Sequence, residues 1–191
     1  MARRRVTRVT LLGLAPVLAL ACARPVRAPH HPAPAGAAKV GLAETAPSQG
    51  APPLHLSELA EQGDSARRAS MRFVLQGLDA DAAGTADLAA SLYERAVQVD
   101  PLNPYAYLAL ARQRAEGPEP AHALAYVEKA HALFAAEKAE TPSVQADLCG
   151  LRALALDAAG RGDEAKEQMA RAKALAPEVW RDGRLDADEL R

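Results

Sequence analysis

Helix breakers at short intervals constrain the fold of this chain more than any other feature. From Asp64 almost to Arg191, apolar residues recur with the period of an α-helix, and breakers at short intervals divide the pattern into helices of about 12–18 residues. These breakers are Gly84, Pro101, Asn103-Pro104, Gly117-Pro118, Thr141-Pro142, Gly160 and Pro177. Asn103 and Thr141 are suitable N-caps, and the proline after each fits the first helical turn. Asp163 is expected to cap a further start. The pattern predicts six helices in three hairpins.

The amino-acid composition indicates an all-α fold. Apolar residues make up 49% of the chain but aromatic residues only 4%, because alanine supplies much of the apolar fraction. Alanine is the best helix former and is depleted in strands. A core of small side chains also requires helices that approach one another closely.

The first residues have the organisation of a secretory signal. Arginines at positions 3, 4, 5 and 8 precede an apolar stretch from Val9 to Ala21, and small residues follow it. The apolar stretch is shorter than the roughly 20 residues that span a bilayer. Residues 1–21 are therefore predicted to be a signal peptide, with an uncleaved membrane anchor as the alternative.

The sequence Leu18-Ala19-Leu20-Ala21-Cys22 resembles the lipobox of bacterial lipoproteins. The resemblance implies cleavage before Cys22, lipidation of its thiol and a membrane anchor made of several acyl chains. It departs from the family at Ala19, where leucine is preferred, and an ordinary signal peptidase could cut the same bond to give a secreted protein. Ala23, in place of the aspartate that retains such proteins in the inner membrane, favours the outer membrane, facing the periplasm.

Residues 22–63 are predicted to be a disordered tether that carries the lipidated cysteine. Prolines, glycines and alanines dominate this region, and most of it has no apolar periodicity with which to build a core. Near its end, Leu54, Leu56 and Leu59 have near-helical spacing and suggest one small extra helix. His30 and His31 lack neighbouring ligand residues, so they are interpreted as surface histidines.

The helical region resembles the tetratricopeptide repeat (TPR) family. Its second-helix signature matches at Ala89, Tyr93, Ala96 and the closing Pro101, and its first-helix and turn positions match at Phe73, Gly77 and Gly84. This places repeat units at 70–103, 104–137 and 146–179, within a domain of residues 64–179. The family resemblance implies a right-handed stack of hairpins, which residues 180–191 are expected to cap. The second unit has Ala135 where proline is usual, so its last helix is expected to run on to Glu140.

No residue pattern indicates catalysis, a cofactor or a metal site. The serines lack a glycine-flanked elbow, and there is no glycine-rich phosphate loop. Residues 79–84 and 182–189 each copy part of a calcium loop, but neither has the full ligand spacing. Cys149 is interpreted as a packed apolar side chain. Outside the leader the chain has 19 basic and 24 acidic residues, which argues against a nucleic-acid partner.

The resemblance implies a function in protein binding, with no enzymatic activity and no small-molecule substrate. In TPR proteins the first helices line a concave groove that holds a partner's peptide or helix. The residues expected to be exposed there are Met71, Leu75, Leu78, Tyr105, Leu108, Arg112, Leu151 and Asp157. An alternative is that residues 54–63 or the cap cover this face. A structural subunit of an envelope complex and a calcium-responsive protein are the competing functions.

Overall fold

The computed structural model describes residues 50–117 and 120–191. The signal peptide, Cys22 and most of the tether lie outside these residues. Within them the chain forms helices and no strand, which confirms the all-α prediction. The helices are α1 Leu56–Leu59, α2 Ser65–Ala82, α3 Ala86–Val99, α4 Pro104–Glu116, α5 Ala123–Glu137, α6 Pro142–Ala158, α7 Gly162–Leu175 and α8 Ala187–Leu190, with a 3-10 turn at Pro120–His122.

The six long helices form three successive hairpins, as the spacing of breakers predicts. Helix α2 packs on α3, α4 on α5, and α6 on α7. Helices α3 and α4, and then α5 and α6, join one hairpin to the next. The first helix of each hairpin also contacts the first helix of its neighbour, so α2, α4 and α6 lie side by side.

A polar side chain caps the N-terminus of three of the long helices, α2, α4 and α6. Asn103 accepts a hydrogen bond from the Tyr105 amide at 3.1 Å, and Thr141 accepts one from the Val144 amide at 3.2 Å, which confirms both predicted caps. Asp64 caps α2 in the same way through the Arg67 amide. The prediction for Asp163 is wrong, because α7 begins at Gly162 and Asp163 lies within its first turn.

The turns of the first and third hairpins have the same geometry. Gly84 and Gly160 both have φ of 76°, a left-handed conformation that glycine adopts without strain. The amide of Gly84 donates to the carbonyl of Asp81, and the amide of Gly160 donates to that of Asp157, each at 2.9 Å. Two segments far apart in sequence therefore end a first helix and begin a second in the same way.

Helix α5 ends earlier than expected. Lys138 adopts a left-handed conformation with φ of 55°, and its amide bonds back to Ala135. The prediction that this helix continues to Glu140 is wrong, because a left-handed residue after the last turn is a common helix stop.

The folded region begins before residue 64. The Ala51 amide donates to the Leu175 carbonyl at 2.7 Å, and the Ser143 hydroxyl donates to the Pro52 carbonyl at 2.8 Å. Leu56 is fully buried in α1, the small helix that the leucine spacing predicts. The predicted boundary between tether and domain is therefore too late, because residues 50–63 pack on α6, α7 and α2.

Candidate functional site

The last residues of the chain lie across the first helices of all three hairpins. We call residues 180–191 the C-terminal segment, and the side of α2, α4 and α6 that it contacts the first-helix face. Trp180 bonds to Asp147 of α6, the Leu185 carbonyl accepts from Arg112 of α4, and Arg191 pairs with Asp79 of α2. The segment thus crosses the whole face instead of capping the last hairpin alone.

Trp180 is the most deeply anchored residue of the C-terminal segment. Its side chain is fully buried, and its indole ring lies against Gly150 in the middle of α6. A Cβ atom on residue 150 would lie only 2.2 Å from the Cζ2 atom of the indole. A glycine inside a helix lowers its stability relative to alanine, so its presence here is explained by the room that it leaves for the ring.

Asp147 is the hydrogen-bond partner of the buried Trp180 indole. Its Oδ1 atom accepts a hydrogen bond from the Trp180 indole N–H at 3.2 Å, while Oδ2 is buried without a partner. Burial raises the pKa of the Asp147 carboxyl to about 7, the indole N–H offsets part of this rise, and the negative charge of Glu189 adds to it. Asp147 is therefore a buried carboxyl of which only one oxygen has a hydrogen-bond partner.

Arg112 lies at the centre of the first-helix face. Its guanidinium pairs with Asp81 of α2 and, at 3.0 Å, with Glu116 one turn later in α4. Asp81 also accepts a hydrogen bond from the Tyr93 hydroxyl at 2.8 Å, and burial together with this carboxylate raises the pKa of the phenol well above its usual range. The Arg112 Nε atom is buried without a partner. The network joins α2, α3 and α4.

A polar cavity of about 220 Å³ remains between the C-terminal segment and this network. Asp81, Arg112 and Glu116 line it from the helices, and Asp186 and Asp188 line it from the segment. Four carboxylates thus surround one guanidinium. Asp81 and Glu116 both pair with Arg112, and Asp186 and Asp188 are exposed to solvent.

The end of the segment meets α1. The Ser57 amide donates to the Arg191 carbonyl at 2.9 Å, and the Arg191 side chain reaches Asp79 at 2.8 Å. Helix α8 packs on α2 beside these contacts. The first and last described helices therefore lie on the same side of α2.

The prediction of eight exposed groove residues is largely wrong. Five are buried, two are half-buried, and only Asp157 is exposed. Those buried are Met71, Leu78, Leu108, Arg112 and Leu151, and those half-buried are Leu75 and Tyr105. The alternative was that residues 54–63 or the cap cover this face. In the structure α1 contacts α2, and the C-terminal segment contacts α2, α4 and α6.

The predicted groove residues also do not form one surface. The Tyr105 ring packs edge-on against Phe134 of α5, with the centroids 5.0 Å apart, so it belongs to the second hairpin's core. Met71 and Tyr105 do line one small pocket, together with Leu59 of α1. Asp157 lines a different pocket, with Lys166 and Met169 of α7. The sequence pattern had placed all of them in one groove.

Sequence reasoning missed two of the three residues that anchor the segment, Asp147 and Gly150. The third, Trp180, was expected to cover the last hairpin together with Leu185, but its contact with Gly150 was not foreseen. One feature of the sequence could have indicated this contact. Gly150 lies in the middle of a strongly helical stretch, where glycine indicates a close approach by another part of the chain. The sole tryptophan of the chain was the only side chain large enough to fill such a space with an N–H donor.

A second cavity, of about 430 Å³, lies among α5, α6 and α7. His131, Cys149, Arg152 and Arg171 contribute to its lining, but its charged groups already have partners. Arg152 pairs with Glu128, Arg171 with Glu167, and His131 with Glu140. Cys149 is half-buried, and burial raises the pKa of its thiol, which disfavours the reactive thiolate.

Neither metal chemistry nor a membrane span is indicated by the described residues. Residues 50–117 and 120–191 contain no group of three or more His, Cys, Asp or Glu side chains arranged to hold a metal ion. Asp79 and Asp81, part of one calcium-like fragment, lie inside α2 and not in a loop. In the same residues, no helix has the length and apolar character needed to cross a bilayer.

Comparison with known proteins gives no relative. No family model matches the chain, and neither a curated protein nor a solved structure matches it.

Proposed function

We propose that this protein is an interaction module of the TPR type, which a lipid on Cys22 tethers to the bacterial cell envelope. The observation that carries the proposal is the occupied first-helix face. An irregular segment with one short helix already lies across α2, α4 and α6, anchored by an aromatic side chain and by an ion pair. A surface that holds such a segment of its own chain has the chemistry to hold one from another protein.

The repeat interpretation is supported by equivalent details in the first and third hairpins. Gly84 and Gly160 make the same turn, and the alanines expected at helix contacts are buried. These alanines are Ala89, Ala96, Ala165 and Ala172. A single hairpin cannot bury its own apolar face, so stacked repeats of this kind are stable only together.

The tether is supported by the sequence alone. The basic and apolar leader, the lipobox-like residues before Cys22 and the proline-rich stretch after it lie outside the described residues. Such a tether would hold the helical domain near a membrane while it searches for partners, which raises their effective concentration. An adaptor or assembly factor in the envelope is the role that fits both parts.

The proposal is tested by photocrosslinking in cells. A photoreactive amino acid is placed at Glu116, which is partly exposed beside the polar cavity, in the full-length chain. The matched control places it at Arg95, which is exposed on the second helix of the first hairpin. We expect a discrete protein adduct from position 116 and none of the same mass from position 95. Equal adducts from both positions, or none from position 116, would contradict the proposal.

A further inference from the structure

The contact between Trp180 and Asp147 places an acid beneath the C-terminal segment. Asp147 is 3% exposed, and only its Oδ1 atom has a partner, the indole N–H at 3.2 Å. The other oxygen, Oδ2, is buried without one. A neutral carboxyl tolerates such a place, whereas a carboxylate with a single hydrogen bond costs much more to bury. The docked segment therefore fits the protonated form of Asp147 and not its anion.

The charge that acts on Asp147 from the C-terminal segment is also negative. Glu189 faces Asp147 and opposes its ionisation, while the other charged residues of the segment are exposed. On α4, the Arg112 guanidinium pairs with Asp81 and Glu116. Among the described residues, the pKa of Asp147 is raised by burial, lowered by the indole N–H and raised by Glu189. The surroundings of the acid therefore favour its neutral form.

The other elements packed on α6 direct their charged groups elsewhere. Those of α5, α7 and the turn between α5 and α6 lie beside Cys149 and Arg152, on the side of the helix opposite Asp147, or near its C-terminal end. These groups are Glu128, His131, Glu140, Lys166 and Arg171. The titratable residues of the 3-10 turn and of residues 50–63 are exposed, and they are His55, Glu58, Glu61 and His122.

Docking of the C-terminal segment is therefore linked to protonation of Asp147. Burial raises the pKa of the docked carboxyl to about 7, whereas an exposed aspartate has a pKa of about 3.9. Removing the indole and Glu189 exposes the carboxyl to water and lowers its pKa toward the exposed value. Docking is then strongest below the pKa of the released carboxyl. It weakens by up to about tenfold per pH unit until the pH reaches about 7.

We propose that the C-terminal segment is a pH-sensitive cover of the first-helix face, and that ionisation of Asp147 releases Trp180 and uncovers the face. The other anchors of the segment leave this control to its tryptophan end. Leu185 and Leu190 are buried but do not titrate. The ion pair of Arg191 is about half exposed, and such pairs contribute little. What the uncovered face receives rests on the proposed function, and the inference names the regulation of that same site.

The test follows hydrogen exchange at the two ends of the C-terminal segment in the full-length protein. Trp180 is the only tryptophan of the chain, so its indole N–H gives a single signal in nuclear magnetic resonance spectra. Exchange of this proton with solvent deuterium is measured from pH 5 to pH 8. Dividing the rate in free N-acetyltryptophanamide by the observed rate gives a protection factor without the intrinsic effect of pH. The Ser57 amide, which donates to the Arg191 carbonyl, reports on the far end of the segment in the same way.

We expect the protection factors of the indole and of the Ser57 amide to fall together, by at least tenfold between pH 5 and pH 8. The Tyr93 amide of α3 should stay better protected than both at every pH, because the helices remain folded. Constant protection of the indole, or a Ser57 amide that does not follow it, would overturn the proposal. Equal protection of the Tyr93 amide would overturn it too, since exchange would then require unfolding of the whole domain.

Two variants separate the acid and the indole site from other causes. Asp147→Asn retains an acceptor for the indole N–H without a charge, so indole protection should change less than about threefold over the same range. Gly150→Ala should lower indole protection even at pH 5, because the new Cβ atom would lie 2.2 Å from the indole. Gly162→Ala is its matched control, since a Cβ there meets nothing within 4 Å. A wild-type pH profile in Asp147→Asn, or wild-type protection in Gly150→Ala, would overturn the proposal.

The outcome for regulation can be told apart from the outcome for the proposed function. The wild-type measurement decides the pH dependence even where a variant does not fold. Indole protection that does not change with pH, together with a persistent crosslink at Glu116, would leave the interaction module standing without pH control. Absence of the crosslink, together with the expected fall in protection, would contradict the proposed function and leave the pH-sensitive cover in place.

Discussion

The ring of Tyr93 in α3 lies directly against the backbone of α2 at Gly77, where α2 has no side chain. A Cβ atom on residue 77 would come within 2.3 Å of the Tyr93 Cε1 atom. Gly77→Ala should therefore destabilise the protein by about 1–3 kcal/mol through overpacking, even though alanine favours the helix. Thermal unfolding followed by circular dichroism measures this, and Gly162→Ala, in open space, should melt like wild type. An unchanged melting temperature for Gly77→Ala would contradict the close contact.

Ala96→Glu should unfold the first hairpin. Ala96 is fully buried, and its carbonyl accepts a hydrogen bond from the buried Ser70 hydroxyl at 2.8 Å. An unpaired carboxylate in this place costs several kcal/mol, which is on the order of a small domain's whole stability. Far-ultraviolet circular dichroism at 25 °C should show loss of helix. Arg95→Glu, one exposed position earlier, is the control and should retain the wild-type spectrum.

Tyr105→Ala combined with Arg112→Ala should lower the melting temperature clearly. Both residues were expected to line an open groove without a role in folding, but Tyr105 packs on Phe134 and Arg112 joins Asp81 to Glu116. Removing the guanidinium leaves Asp81 without its cation, and removing the ring leaves a cavity, for a combined loss of about 3–6 kcal/mol. A melt within a degree or two of wild type would show that these contacts contribute little.

The buried carboxyl of Asp147 should make stability depend on pH. Its folded-state pKa, raised to about 7 by burial, exceeds the ordinary unfolded value of about 3.9. The stability that protonated Asp147 provides is complete below the unfolded pKa and is lost as pH rises through the folded pKa. The loss over this window is about 1.4 kcal/mol per pH unit. Denaturant unfolding at pH 4 and at pH 8 measures it.

Asp147→Asn serves as the control for this pH dependence. The amide retains an oxygen acceptor for the Trp180 indole N–H and has no charge to bury. We expect the variant to lose less stability than wild type between pH 4 and pH 8. Identical profiles would mean that another group is responsible.

Cys22→Ser should release the mature protein from membranes or leave its precursor unprocessed. The lipobox-like residues end at Cys22, whose thiol would carry the lipid. Membrane fractionation with metabolic lipid labelling measures the effect, and Cys149→Ser is the control because Cys149 packs in the helical domain. Normal processing and attachment of the Cys22→Ser protein would contradict the lipid anchor.

The helices were predictable from sequence because local signals determine them. Proline after an N-cap at Asn103 and Thr141, and glycine in the turns at 84 and 160, act on neighbouring residues only. Which face of the first helices is open depends instead on contacts across long sequence distances. The bond from Trp180 to Asp147 spans 33 residues and that from Arg112 to Leu185 spans 73, so no periodicity within a helix reveals them.

The groove residues were misplaced for a related physical reason. A stripe at helical spacing shows that Leu108 and Arg112 share one side of α4, but it does not show what covers that side. Leucine on such a stripe fits a core as well as a binding surface. Only the glycine at 150 carried information about a covering ring, because a missing Cβ in a helix marks the place where something else approaches.

The hydrogen bond between Ser57 and Arg191 affects how the protein would respond to a pulling force on the chain before residue 50. Residues 50–57 connect the helical domain to everything that precedes it, and they are fastened at Leu175, at Ser143 and at the end of the C-terminal segment. A load applied through the preceding chain is therefore borne first by the bonds that Ala51 and Pro52 make to the third hairpin, and then by the Ser57 bond to Arg191. Tension on that side would loosen the end of the C-terminal segment only after the two bonds to the third hairpin had broken.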